Sequence, residues 1–90
     1  MPHTIVYHSK VEDDIELLDK KQKNIVARAI ENRLVNEPEK YGKPLRGSLK
    51  GYWKLRIGDI RVIFKIVKNE VQILGIINRK LAYEKILKRL

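Results

Sequence analysis

Lys54, Arg56 and Arg61 are the residues of this sequence whose types and spacing first suggest chemistry. They lie in Tyr52-Trp53-Lys54-Leu55-Arg56-Ile57-Gly58-Asp59-Ile60-Arg61-Val62-Ile63-Phe64-Lys65, two alternating runs separated by Gly58-Asp59. A two-residue break with glycine first reads as a β-hairpin turn. Ile57 then faces Ile60, and Arg56 faces Arg61. Trp53, Leu55, Ile57, Ile60, Val62 and Phe64 share one apolar face, which is the core side. Tyr52, Lys54 and Arg56 share the other with Arg61, Ile63 and Lys65. Like charges in opposed positions destabilise a sheet. A face that sets Arg56 against Arg61 beside Lys54 therefore gains something in return. Two readings explain it. In one, the face is solvated and basic for solubility and to blunt edge pairing. In the other it binds an anion, with arginine as a two-pronged phosphate ligand.

The apolar side of the hairpin needs a layer against it. Thr4 to Tyr7 reads as a short strand. Ser9-Lys10-Val11-Glu12 fits a capping box at the start of a first helix, with Val11, Ile15 and Leu18 as its inward stripe. A second helix runs from about Gln22 to Asn36 and buries Ile25, Val26, Ala29, Ile30 and Leu34, ending before Pro38. Residues 37–49 read as a loop rich in breakers. Lys43, Arg46 and Lys50 line its later part, either as a solvated connector or as a basic rim that guides a phosphate backbone. A turn near Lys68-Asn69-Glu70 leads into a strand over Val71 to Ile77. Alternation puts Val71, Ile73, Gly75 and Ile77 on the core face, and Gln72, Leu74, Ile76 and Asn78 on the face of Arg61. Gly75 inside that strand marks a bulge or a close packing contact. The last residues carry Leu81 or Ala82, Ile86, Leu87 and Leu90 at helical spacing. The order predicts one α+β domain over residues 1–90. It has a small, antiparallel-rich four-stranded sheet, two N-terminal helices packed on one face and a short C-terminal helix. The face with Lys54, Arg56 and Arg61 is left open.

Charge sharpens the anion reading. The net charge is +9 over 90 residues. Residues 1–45 hold 8 Lys+Arg against 8 Asp+Glu, and residues 46–90 hold 12 against 3. The whole excess lies in the half with the hairpin, which points to a polyanionic partner. The absence of cysteine excludes disulfides and thiolate metal sites. His3 and His8 are the only histidines, and the carboxylates of the first half read as helix-surface charges, so no metal constellation emerges. No apolar run approaches the roughly 20 residues that span a bilayer. The first residues lack a secretory pattern, which makes the cytoplasm the expected location.

The segment Trp53 to Phe64, with Pro44-Leu45 and Leu49-Lys50-Gly51 before it and Ile77-Asn78-Arg79-Lys80-Leu81-Ala82-Tyr83 after it, resembles the RelE/ParE toxin superfamily of toxin–antitoxin systems. The likeness spans the whole chain in length and element order. Its most specific part is the Arg-x-Gly-Asp-x-Arg-Val-x-Phe run from Arg56 to Phe64. Within the superfamily the chain is similar to the RelE branch, whose members cut messenger RNA in the ribosomal decoding site. The resemblance implies an endoribonuclease that needs no cofactor. It also implies a cognate antitoxin in a hetero-oligomer, the ribosome and messenger RNA as partners, and no membrane. By motif position, Lys54 matches a strand residue used for proton abstraction or phosphate contact. Arg61 matches the arginine that steadies the scissile phosphate. Arg79 matches a basic residue that contacts the phosphate or assists the leaving group, and Tyr83 a tyrosine that orients or stacks on the nucleotide. Arg56 lies within the motif as a further phosphate contact.

The chain departs from the family pattern at Tyr52, where one pattern has a second lysine, at Asn78, where many relatives have histidine, and at Ile60, which replaces a tyrosine. No acid lies between Lys40 and Lys54, so a Glu/His acid–base pair is not expected. The chemistry left is attack of the RNA 2′-OH on the adjacent phosphorus. It is helped by proton removal, by neutralisation of charge on the phosphoryl oxygens and by protonation of the leaving 5′-oxygen. Lys65, on the same hairpin face, and Lys80, beyond the last strand, are further candidates for positioning RNA by charge, Lys80 reading equally as a plain surface charge. The ParE branch, which inhibits DNA gyrase by binding it, is the alternative; an inactive relative that binds only an antitoxin is another.

Overall fold

In the computed structural model, which describes residues 2–90, β3 (Trp53–Ile57) and β4 (Ile60–Val67) form the hairpin in the expected register. Gly58 takes φ 57°, which a type II′ turn requires at its first central position. β5 (Glu70–Asn78) returns antiparallel to β4, and β1 (Thr4–Tyr7) adds in parallel to β5. The sheet has a fifth strand that the sequence does not reveal: β2 (Lys43–Pro44) pairs antiparallel with β3 and closes the order β1-β5-β4-β3-β2. Two residues are too few to show alternation. Pro44 is tolerated there because an edge strand has no outer neighbour to donate to. The segment expected to be a plain loop also holds α3 (Pro38–Tyr41), with proline in its first turn, and a 3₁₀ turn at Gly47–Leu49.

The helical layer is α1 (Val11–Glu16) and α2 (Lys20–Ala29), the latter running on into a π turn at Ile30–Leu34. Val11, Val26, Ala29, Ile30 and Leu34 pack on Leu55, Val62, Phe64, Val71 and Ile73 to form the main core. Ile25 falls outside the stripe and is exposed. The Ser9 capping box is not formed. His8 N–H donates to Ile73 O at 2.8 Å, so sheet pairing reaches His8, and Ser9 and Lys10 are used as a turn. The capping box sits one helix later, where Asp19 Oδ1 accepts from Gln22 N at 2.7 Å and Gln22 Oε1 accepts from Asp19 N at 3.1 Å.

The face expected to be open is half covered. The β4–β5 register shifts by one residue: Phe64 pairs with Ile73, but Ile63 pairs with Gly75, leaving Leu74 as the bulged residue. Ile76, rather than Gly75 or Ile77, therefore joins the helix-side core. Ile77 turns to the opposite face, where α4 (Ala82–Arg89) buries Ala82 and Ile86 against Leu49, Ile63 and Ile77. A Cβ on Gly75 would lie 2.5 Å from Ile86 Cδ1 and 2.8 Å from Ile77 Cδ1. Gly75→Ala is therefore expected to destabilise the fold by about 1–3 kcal/mol through overpacking. A urea midpoint equal to the parent's would contradict this packing.

Asp14 is not a surface charge but a buried one. It lies between Val11 and Leu18 at helical spacing, on the inward stripe itself. Its Oδ1 and Oδ2 each accept from Arg89 at 2.7 Å, and Oδ2 also accepts from Ile76 N at 3.0 Å. Arg89 Nη1 donates further to Leu74 O at 3.0 Å. This pair ties the end of α4 across β5 to α1. Among the described residues, no helix is long and apolar enough to cross a membrane.

Candidate functional site

The hairpin, β2 and the helical layer meet around a cavity of about 160 Å³ lined by Arg33, Tyr41, Lys43, Lys54, Leu55, Arg56 and Arg61. Strand register makes it basic: Lys43 is paired with Lys54, and Arg56 with Arg61. No carboxylate lines it. Arg61 is not on an open surface, being only 8% exposed. Its Nη1 donates to Gly58 O at 2.7 Å and to Ile60 O at 3.0 Å, so the turn carbonyls hold the guanidinium in place. Such a fixed, permanently charged fork suits recognition of a phosphate oxygen.

Lys54 connects this cavity to a second feature. Its Nζ lies 3.4 Å from the hydroxyl of Tyr83, which projects from the first turn of α4 and is 41% exposed. Tyr83 also lines a groove of about 300 Å³ with Leu45, Arg46, Ser48, Leu49 and Leu87. An aromatic edge on a partly apolar groove, beside a lysine, offers a stacking surface for a base. The structure thus brings Lys54, Arg56, Arg61 and Lys43 together, and Tyr83 and Arg46 next to them.

The remaining sequence candidates lie apart from the cavity lining. Arg79 is at the hairpin turn, where its backbone N donates to Asp59 O at 2.8 Å and its Nε lies 3.7 Å from Asp59 Oδ1. Lys80 is exposed, with its backbone N donating to Asn78 Oδ1 at 3.0 Å. Lys65 lies over the Tyr52 ring, 5.6 Å from its centroid. Lys50 is exposed just after the 3₁₀ turn. Sequence reasoning missed Arg33 and Tyr41. The available signal was that Arg33 stands three residues after buried Ile30, at the border of the apolar stripe, where a long cation reaches over the core edge. Among the described residues no group of His, Asp or Glu side chains is arranged to hold a metal ion.

Residues 5–83 match the family described as the ParE toxin of the type II toxin-antitoxin system, parDE. The chain belongs to this family. It is a toxin of a type II toxin–antitoxin system, within the RelE/ParE superfamily. Toxin RelE of Mycobacterium tuberculosis is 30% identical over 84 residues, covering 91% of this chain and 87% of that protein. The toxin-antitoxin complex RelBE2 of the same organism contains a chain that superposes with a TM-score of 0.82 at 28% identity, covering 88% of this toxin and 100% of that chain. A mutant of E. coli toxin RelE in the free state superposes with a TM-score of 0.77 over 100% of this toxin and 99% of that chain. At 13% identity that last likeness speaks for the fold alone. In this toxin the β3–β4 hairpin supplies the cavity's Arg56 and Arg61, and the segment after β5 supplies Tyr83.

Proposed function

We propose that this toxin is a ribosome-dependent endoribonuclease that cuts messenger RNA without a metal ion, using the RNA's own 2′-OH as nucleophile. The observation that carries the reading is the 3.4 Å contact of Lys54 with Tyr83 at the edge of a carboxylate-free cavity holding Arg61. The 2′-oxygen loses its proton to Lys54 and attacks the adjacent phosphorus. A 2′,3′-cyclic phosphate forms as the bond to the 5′-oxygen breaks, and that oxygen takes a proton from solvent water and leaves as a 5′-hydroxyl. Arg61 stabilises the charge that grows on the phosphoryl oxygens, which is where a preorganised donor has its largest effect. Tyr83 stacks on or orients the nucleotide. Arg79, next to Asp59, contacts the substrate at the outer rim, and Arg56, Arg46, Lys50, Lys65 and Lys80 position the RNA backbone. The proposed partners are the ribosome, its message and a cognate antitoxin, since similar structures are toxin–antitoxin complexes. The proposed location is the cytoplasm, where those partners are.

The test is cleavage of ribosome-bound message by the purified toxin, with the ends mapped by primer extension and their chemistry determined. Cuts leaving a 2′,3′-cyclic phosphate and a 5′-hydroxyl are expected, and they should persist when zinc and manganese are chelated at constant free magnesium. Loss of cleavage that zinc or manganese restores would overturn the mechanism. The name of the matched family favours a second reading, a ParE-like gyrase inhibitor. On that reading induction arrests DNA replication before translation, and no cut appears in the message.

A further inference from the structure

Arg33 and Lys43 have no part in the chemistry above, yet both line the cavity with Lys54, Arg56 and Arg61. Arg33 comes from the π turn that ends the helical layer, and Lys43 from edge strand β2. The ion pairs among the described residues join Lys40 to Glu37, Arg79 to Asp59, Lys88 to Glu84 and Arg89 to Asp14, and involve none of these five cations. The Arg33 guanidinium lies 5.8 Å from the centroid of the Tyr41 ring, and Lys40 Nζ lies 5.4 Å from it. That aromatic face steadies Arg33 without neutralising it. Arg33, Lys43, Arg56 and Arg61, joined by Lys54 whenever it carries its proton, repel one another around one small space unless an anion enters. At about 160 Å³ the cavity is well below the ~300 Å³ of an ordinary small-molecule site, so it suits a single compact group rather than a base with its sugar.

Resting on the ribonuclease reading, we infer that this cavity is a second phosphate subsite. It holds the phosphodiester next to the one that is cut. The scissile phosphate lies on the Tyr83 side of Lys54, Lys54 and Arg61 stand between the two, and Arg33 and Lys43 hold the neighbour. The ligand is single-stranded RNA presenting two consecutive phosphates. An arginine fork binds carboxylate as readily as phosphate; the RNA backbone already placed at Lys54 by the ribonuclease reading is what favours phosphate over the carboxylates of an acidic protein segment.

The probes are 2′-O-methyl oligoribonucleotides, which cannot be cut, carrying one or two phosphates and titrated into the labelled toxin by NMR. One phosphate should shift the amides around Lys54 and Tyr83, and the second should add those of Arg33, Tyr41 and Lys43. Arg33→Gln should weaken binding of the two-phosphate probe about tenfold. It should also lower the salt slope by about 0.7, the value of one contact to a single strand. On ribosome-bound message the same variant should raise KM and leave kcat near the parent's, as loss of uniform binding does. Lys68→Gln, in the turn between β4 and β5, is the control and should change none of these. Parent-like affinity and slope in Arg33→Gln would overturn the subsite. So would polyglutamate of matched charge shifting the Arg33 and Lys43 amides when RNA does not. The parent failing to cut message while Arg33-dependent RNA binding persists would sink the ribonuclease reading and leave the subsite. Cleavage with Arg33-independent binding would do the reverse.

Discussion

Arg61→Ala is expected to slow cleavage of ribosome-bound message by about a hundredfold or more, the cost of losing one preorganised donor to transition-state charge. The donor is preorganised because Gly58 O and Ile60 O both accept from Nη1 and fix the plane of the fork. Arg61→Lys should be impaired too, because an ammonium is a point charge and cannot reproduce two parallel contacts. Strand pairing alone suggests that removing Arg61 relieves repulsion from Arg56 and leaves stability unchanged or slightly raised. The structure reverses that expectation. A side chain 8% exposed that satisfies two carbonyls holds the turn, and its removal should cost roughly 1–3 kcal/mol. Cleavage rate and urea midpoint must therefore be read on the same preparation. A folded Arg61→Ala protein that cuts at the parent's rate would refute the clamp.

Asp14→Ala should be the most damaging single change to stability, by about 3–5 kcal/mol. It strands the Arg89 guanidinium, 12% exposed at its side chain, and leaves Ile76 N without its acceptor. The hydrogen bonds that Arg89 donates to Asp14, against the opposing effect of burial, hold its proton more firmly than an arginine ordinarily does. In a domain of this size each kcal/mol moves the midpoint of melting by roughly 4–8 °C, so a fall on the order of 20 °C is expected. Replacing both partners, Asp14→Leu with Arg89→Met, should recover much of the loss, because no unpaired charge is then buried. A melting point for Asp14→Ala within a few degrees of the parent's would show that the pair carries little.

The hairpin was legible because period-two alternation runs up to Gly58-Asp59 from both sides and allows one register. The helical stripe was legible for the same kind of reason, at period 3.6. The bulge was not, because Ile73-Leu74-Gly75-Ile76-Ile77 is apolar throughout and reads equally well in either phase. The Asp14–Arg89 pair was hidden by its separation of 75 residues. The cavity was half visible. Lys54, Arg56 and Arg61 follow from register, whereas Arg33 and Tyr41 arrive from elements whose approach to the sheet no local pattern encodes. The nearness of Tyr83 to Lys54 depends on where α4 docks, which no local pattern encodes; the family likeness singles out both residues but not their contact.

That docking depth is set by the unpaired residue in β5. With strict alternation from Val71 and Ile73, Gly75 would look toward the helices and α4 would rest on Ile76, whose branched side chain would prop it away. The slip at Leu74 turns the bare position outward instead, under Ile86, and lets the helix settle against the sheet's own backbone. The reach of the Tyr83 hydroxyl to Lys54 is in this sense a clearance, machined by one irregular residue two strands from the lysine it serves.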